Sequence, residues 1–250
     1  MRGEAASLKA MSATAPESLI PRLYGYAESA DGNECAMVTQ YFDLQPLHGG
    51  SYQRELGRKL AEMHRLPPKD TEGYTGRYGF EVPTFCGVTQ QDNTWEGDWK
   101  TFWRDRRLGD MIRRIEDTDL AKAWDGLLDK AVPLLLDSIQ PQPQPVIIHG
   151  DLWYGNTGYD QTTQVPVIFD PSSFWGHNEA ELGMTKMFGG FTNDFYDAYH
   201  EIHPRSERYD QLIQLYELYH HLNHTLMFGT MYKEGALRIM KSLTAWAETV

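Results

Sequence analysis

The run Val146-Ile147-Ile148-His149-Gly150-Asp151-Leu152-Trp153-Tyr154-Gly155-Asn156 follows a β-branched stretch with a carboxylate and, a short step later, an amide. A second β-branched run, Val165 to Phe169, leads directly into another carboxylate, Asp170. Phosphoryl transfer to an alcohol needs side chains of these kinds. One carboxylate orients the attacking hydroxyl and accepts its proton, and hard oxygen ligands hold a magnesium ion against the phosphates of the donor. Asp151 suits the first task, and Asn156 with Asp170 suits the second. The competing reading is that Asp151 and Asn156 cap turns and Asp170 starts a helix. Two apolar strands that both end in these residues favour chemistry.

The elements that must hold them can be read from periodicity. A Gln/Pro stretch, Gln140 to Pro145, is a stiff connector into the strand Val146–Ile148, and the strand Val165–Phe169 completes a β hairpin around the loop. Upstream, Ala5, Leu8 and Met11 repeat at helical spacing. The strands Leu23–Tyr26 and Cys35–Val38 flank the turn residues Asp31-Gly32-Asn33, and this small β unit ends near Asp43. Tyr52, Leu56, Leu60 and Met63 predict a helix stopped by Pro67-Pro68, after which an irregular loop runs to about Asn93. Trp95, Trp99, Phe102 and Trp103 predict one helix with an aromatic core stripe, and Leu120, Trp124, Leu127, Leu128 and Val132 predict another. Beyond Asp170 the chain reads as helical nearly to its end, with stripes at Tyr209–Tyr219 and Leu237–Leu243.

Composition limits the partners. The 250 residues suit one or two lobes, and 41% hydrophobic with 23% charged residues is ordinary globular usage. Subtracting 35 acidic from 23 basic residues leaves a formal charge of −12, which disfavours nucleic acid. Cys35 and Cys86 match neither a disulfide framework nor a zinc spacing, so a reducing cytoplasm fits best, and no stretch is apolar enough to predict a membrane span. His220 and His224 share a helix face but lack a third zinc ligand, which favours a core or substrate-side histidine. The basic runs Arg104-Asp105-Arg106-Arg107 and Arg113-Arg114 are expected to be solvated helix faces or salt-bridge partners.

The segment from His149 to Asn156 fits H-x-D-L-x-x-x-N, the catalytic-loop spacing of protein kinases. Together with Val167-Ile168-Phe169-Asp170-Pro171, Gly176-His177-Asn178-Glu179-Ala180-Glu181-Leu182, Tyr78-Gly79-Phe80, Cys86-Gly87, Met187-Phe188-Gly189-Gly190-Phe191 and Leu222-Asn223-His224, it resembles the fructosamine/ketosamine-3-kinase family. The resemblance covers nearly the whole chain.

That resemblance implies an α+β, protein-kinase-like (aminoglycoside-phosphotransferase-like) two-lobe fold. Residues 1–43 would be a truncated N-terminal lobe, and 44–250 a mostly helical C-terminal lobe with the catalytic hairpin. It implies ATP and Mg2+ as cofactors, and phosphorylation of the sugar 3-hydroxyl of ketosamines, free or on glycated proteins, as the reaction. By carry-over Asp151 is the base and Asn156 and Asp170 are the magnesium ligands. Trp153 offers a face to the sugar, and His224 is a polar partner of the substrate. Gln40 C=O and Phe42 N–H would meet adenine, while His149, Glu4 and Glu181 are structural supports. Pro171-Ser172 after Asp170 argues against a movable D-F-G switch.

No glycine-rich phosphate loop and no strand lysine to pair with Glu4 occur in the chain. The expectation is therefore weak ATP binding and slow turnover, with a non-catalytic binding module as the alternative. A sister phosphotransferase acting on choline or an aminoglycoside is a weaker third reading.

Overall fold

The structure, a computed structural model, describes residues 1–46 and 49–250. Helix α1 (Arg2–Met11) buries Ala5, Leu8 and Met11, as their spacing requires. Strands β1 (Leu23–Glu28) and β2 (Cys35–Thr39) form the expected antiparallel hairpin. Its turn is closed by Asp31, whose Oδ1 accepts from the Asn33 N–H at 3.2 Å. A short strand, β3 (Leu44–Gln45), then ties the chain to β7 (Thr157–Asp160).

Helix α2 (Gly50–Met63) buries Leu56, Leu60 and Met63 and crosses α7 (Asn193–His200). The crossing is so close that a Cβ on Gly57 would sit 2.1 Å from Phe195 O, so only glycine fits there. The chain from Pro67 to Asn93 is irregular apart from the hairpin of β4 (Phe85–Cys86) and β5 (Thr89–Gln90).

The aromatic stripe is core, but Trp95 does not join its helix. Trp95 lies in extended chain just before Glu96, which bridges to Tyr78. The helix begins at Trp99, after Asp98 caps it by accepting from the Thr101 N–H at 2.7 Å. It runs as α3 (Trp99–Thr101), a π-helical segment (Phe102–Gly109) and α4 (Asp110–Ile115).

Arg104 and Arg106 are ion-paired, with Asp105 and with Asp92 and Glu96, as expected of that basic run. Arg107 departs from it. Its guanidinium is fully buried, 4.0 Å from the Phe174 ring centroid and 4.5 Å from that of Phe102, and it donates to Asp92 O and Asn93 Oδ1. Ring faces and carbonyls replace the water that a charged helix face normally keeps, although desolvation still pulls its pKa down to about 10.

Helix α5 (Thr118–Leu136) starts at Asp117, which accepts from the Asp119 and Leu120 N–H groups. It packs with α8 (Tyr209–Phe228) and α9 (Thr230–Ala247), while α6 (Glu181–Met187) lies on α8. Trp99 Nε1 donates to Tyr216 Oη at 3.0 Å, and Trp103 meets the same ring edge-on at 4.8 Å. This joins the aromatic helix to α8.

The strands β6 (Val146–Ile148) and β8 (Val165–Ile168) form where their β-branched residues predict, but they do not pair with each other. β6 pairs with β9 (Phe174–Gly176), and β8 pairs with β7. The single hairpin read from the sequence is thus two antiparallel pairs, and the candidate loop leaves one for the other. Among the described residues no helix is long and apolar enough to cross a membrane.

Candidate active site

The loop after β6 is held from beneath by one buried carboxylate. Glu181, at the start of α6, accepts the His149 N–H through Oε2 and the Gly150 N–H through Oε1 at 3.0 Å. His64 Nε2 lies 3.5 Å from Glu181 Oε2, and His64 Nδ1 is fixed by Tyr199 Oη at 2.8 Å. Burial pushes the Glu181 carboxyl up, but His64, His149 and the bonded N–H groups outweigh it and hold the group below its usual range.

Gly150 has φ of 83° and a Cβ there would meet Ser172 O at 2.3 Å, so the turn that delivers Asp151 requires glycine. His149 is also a brace. Its Nε2 is 2.9 Å from the Phe169 carbonyl, which can only accept, so Nε2 carries the proton and Nδ1 accepts the Asp151 N–H at 3.3 Å. Desolvation keeps this imidazole neutral. The ring thereby links the loop bearing Asp151 to the strand end that leads into Asp170.

Asn156 donates from Nδ2 to Asp151 O at 2.9 Å, and Phe169 N–H donates to Asn156 O at 3.1 Å. Asp170 is exposed and takes φ of 60°, an uncommon left-handed conformation for a residue with a Cβ. Asp151, Asn156 and Asp170 are therefore gathered by one hydrogen-bonded unit.

The Cys86 thiol of β4 faces the Asp151 carboxylate in the same cavity and favours its charged form. Burial, with the charges of Asp170 and Glu181, pushes Asp151 up to about 7 despite the opposing pull of that thiol. A carboxyl tuned so near neutrality can accept and release a proton under ordinary conditions.

Asp151 opens on a cavity of about 490 Å³ lined also by Cys86, Trp153, Met184, Phe188, His224 and Tyr232. Trp153 is 40% exposed there and meets Phe188 edge-on at 5.9 Å, so one ring face remains available to a ligand. His224 lines the same cavity, whereas its neighbour His220 is buried in the core and held neutral.

On the other side of Asp170 a cleft of about 400 Å³ is formed with Glu4, Arg2, Phe85 and Gln90. Helix α1 is pinned there by Ser7 Oγ, which accepts from Ser173 N–H at 3.0 Å. Burial, then the charge of Asp170, pushes the Glu4 carboxyl up. Gln40 and Phe42 line neither of these two cavities and lie on the segment between β2 and β3. The Gln40 N–H donates to Arg22 O at 2.8 Å, and the Phe42 side chain is buried.

Sequence reasoning missed Cys86 as a partner of Asp151, and it missed His64 and Gln91. Gln91 donates to Ser172 O at 2.8 Å and so supports the far end of the same loop. Cys86 was visible only as one of two unpaired cysteines and as a member of the Cys86-Gly87 pair, since nothing local signals its approach to a residue so distant in sequence.

Solved structures share this architecture. The apo aminoglycoside phosphotransferase APH(4)-Ia, a thermostable mutant, superposes with a TM-score of 0.62 over 98% of this chain and 83% of that one at 13% identity. A crystal structure assigned as a fructosamine-3-kinase of Thermobifida fusca YX-ER1 gives 0.81 over 98% and 80% at 24% identity. The fold is accordingly the kinase-like fold of the aminoglycoside phosphotransferases, as the motifs imply.

Within that class the chain belongs to the fructosamine kinase family, whose model matches residues 1–245. The chloroplastic protein-ribulosamine 3-kinase of Arabidopsis thaliana is 36% identical over 242 residues, covering 95% of this chain and 70% of the relative. The ketosamine-3-kinase of Mus musculus is 34% identical over 264 residues, covering 97% and 82%.

Proposed function

We propose that this protein is an ATP-dependent ketosamine 3-kinase. It transfers the γ-phosphoryl group of ATP to the sugar 3-hydroxyl of fructose or ribulose adducts on small amines or protein lysines, a step toward deglycation. The observation that carries this reading is the near-neutral Asp151 carboxylate at the mouth of an aromatic cavity that also holds Trp153 and His224. The relatives named as ribulosamine and ketosamine kinases supply the substrate class. They also disfavour the alternative of a non-catalytic binding module.

In this reading Asp151 takes the 3-hydroxyl proton as the new O–P bond forms and the bond from the γ-phosphorus to ADP breaks. Trp153 stacks on the sugar and orients that hydroxyl, and His224 supplies a polar contact. His149 and Glu181 act through the loop as positioning residues. Gln40 C=O and Phe42 N–H are the candidate adenine contacts, in the segment that joins residues 1–43 to the helical part. Glu4 supports the cleft beside Asp170.

The donor set suits magnesium: Asn156 and Asp170 offer hard oxygens, and the charge of Asp170 raises both Glu4 and Asp151, marking an anionic patch that a cation would relieve. Among the described residues no cluster of three or more His, Cys, Asp or Glu could hold a metal. That is consistent with an ion that takes its remaining ligands from phosphates and water. When bound, magnesium would offset the phosphate charge. A cytoplasmic setting is part of the same proposal and rests on the cysteine usage of the sequence alone.

Calorimetry with magnesium and a non-hydrolysable ATP analogue tests the nucleotide half of this reading. Asp170→Ala should lose metal-dependent binding, and unchanged affinity would mean that Asp170 is only a turn residue.

A further inference from the structure

The cavity beside Asp151 has a composition that a sugar alone does not explain. Four aromatic side chains from two neighbouring segments, Phe188 after α6 and His224, Phe228 and Tyr232 from α8 and α9, line it together. His224 lies 5.2 Å from Phe188 and 5.0 Å from Tyr232 between ring centroids, with planes inclined by 67° and 53°. Phe228 stands 5.9 Å from Tyr232 at 46°. Tilted rings of this kind present faces in several directions at once, and the face of an aromatic ring carries its negative quadrupole.

The charges around the cavity have one sign. Asp151 is its carboxylate, and neither lysine nor arginine is among the described residues that line it. His224 adds no positive charge. Its Nδ1 is 2.8 Å from the His220 carbonyl and so carries the ring proton, burial disfavours a second proton, and Nε2 is left as a hydrogen-bond acceptor. Sugar hydroxyls would find few partners on this wall, because the rest of the lining, Val88, Met184 and Met227 included, is apolar.

We propose that the wall formed by Phe188, His224, Phe228 and Tyr232 is a subsite for the protonated secondary amine of the adduct. The ammonium would lie against the ring faces and donate to His224 Nε2, with Asp151 as the nearby counter-charge. This inference rests on the ketosamine reading above and adds to it the group that separates a ketosamine from a free ketose. Selectivity then comes from a cation held by π faces and an acceptor. A neutral isostere of the same length is rejected because it brings no charge to the site.

The test compares 1-deoxy-1-(propylamino)fructose with its ether isostere, 1-O-propylfructose, in both calorimetric binding and phosphorylation by the full chain with magnesium-ATP. The wild-type chain is expected to bind the amine about tenfold or more tightly than the ether. Tyr232→Leu and Phe228→Leu should each reduce that preference severalfold through the amine alone. Tyr232→Phe, which keeps the ring, should retain the preference.

Phosphorylation of the amine, with equal binding of amine and ether in the wild type, would overturn the subsite and leave the kinase reading standing. The subsite is likewise overturned if the leucine variants weaken both ligands in proportion. If the amine is preferred and the variants lose that preference, yet no phosphate is transferred, the subsite stands and the kinase reading falls. If neither ligand binds, both fall. Circular dichroism and thermal midpoints of the variants separate loss of the site from loss of the fold.

Discussion

The thiol of Cys86 faces the carboxylate of Asp151 where the β4–β5 hairpin meets the loop after β6. The contact works against burial, since the thiol favours the ionised form of Asp151 while desolvation favours the neutral one. The thiol bears the complementary cost, because burial and then the Asp151 charge push its own pKa well up. Cys86 is therefore a proton-bearing donor and a poor nucleophile.

One consequence can be counted with a thiol reagent. The native protein should expose one reactive thiol, Cys35, and release the second only on unfolding. Cys86→Ala should shift the rising limb of the pH–activity profile to higher pH, because Asp151 loses a donor to its charged form. Cys86→Ser should largely restore it. Rapid native modification of Cys86, or identical profiles for the alanine variant and the parent, would contradict this role.

Asp151 should trade stability for chemistry. Its folded pKa of about 7 lies above the ordinary 3.8, so the stabilisation from protonation is complete below the ordinary value and is lost as pH rises through 7. Asp151→Asn should cost about a hundredfold or more in turnover, yet at about pH 8 it should raise stability by about 2 kcal/mol. The stability gain should shrink toward acid pH. Urea unfolding at the two pH values checks the sign, and a variant less stable than the parent at about pH 8 would show that the carboxylate is not held at a cost.

Glu181 carries more of the loop than any single exposed residue could. Glu181→Ala would leave the buried N–H groups of His149 and Gly150 without their acceptor, an expected loss of about 2–5 kcal/mol. Turnover should fall with it, while Glu181→Gln, which keeps one acceptor oxygen, should be milder in both. A well-folded alanine variant with full activity would remove Glu181 from the support of the site.

Buried histidines shape the response to acid, two of them most strongly. Desolvation drives His177 and His220 each down to about 3. Unfolded imidazole titrates at about 6.5, so between these values the unfolded chain binds protons that the folded chain refuses, and stability falls as pH falls. Asp151 acts in the opposite direction over the same range, so the measurement belongs in Asp151→Asn. Moving that variant from about pH 7.5 to about pH 5.5 should remove at least about 3 kcal/mol, near 1.4 from each of these two, with His149, His200, His203 and His224 acting in the same direction. Equal stability at both values would contradict their neutral burial.

The parts of this molecule legible from sequence are those fixed by local pattern. The helices of Leu56–Met63 and Tyr209–Tyr219, the hairpin around Asp31-Gly32-Asn33 and the strand before His149 all appear where periodicity and turn chemistry put them. The pairing of β6 with β9 was not legible. Phe174-Trp175-Gly176 is too short to announce a strand, and Thr157-Gly158-Tyr159-Asp160 contains residues with poor strand preference. Arg107 misled for a different reason, since only the assembled core shows Phe102 and Phe174 both packed against its guanidinium. Asp151, Trp153 and Asn156 were legible because they share one loop, and Asp170 because it ends a β-branched run, whereas Cys86 and His64 reach the site only through the tertiary fold.

The central claim, that Asp151 directs phosphate to one sugar hydroxyl, is tested most directly by phosphorus NMR. The full chain is incubated at length with magnesium-ATP and 1-deoxy-1-(propylamino)fructose, beside Asp151→Asn. The expected result is a slowly growing phosphomonoester signal, coupled to the proton on carbon 3, that is lost in the variant. A product phosphorylated at another hydroxyl, equal product from the variant, or ATP left unchanged beside intact ketosamine would contradict it.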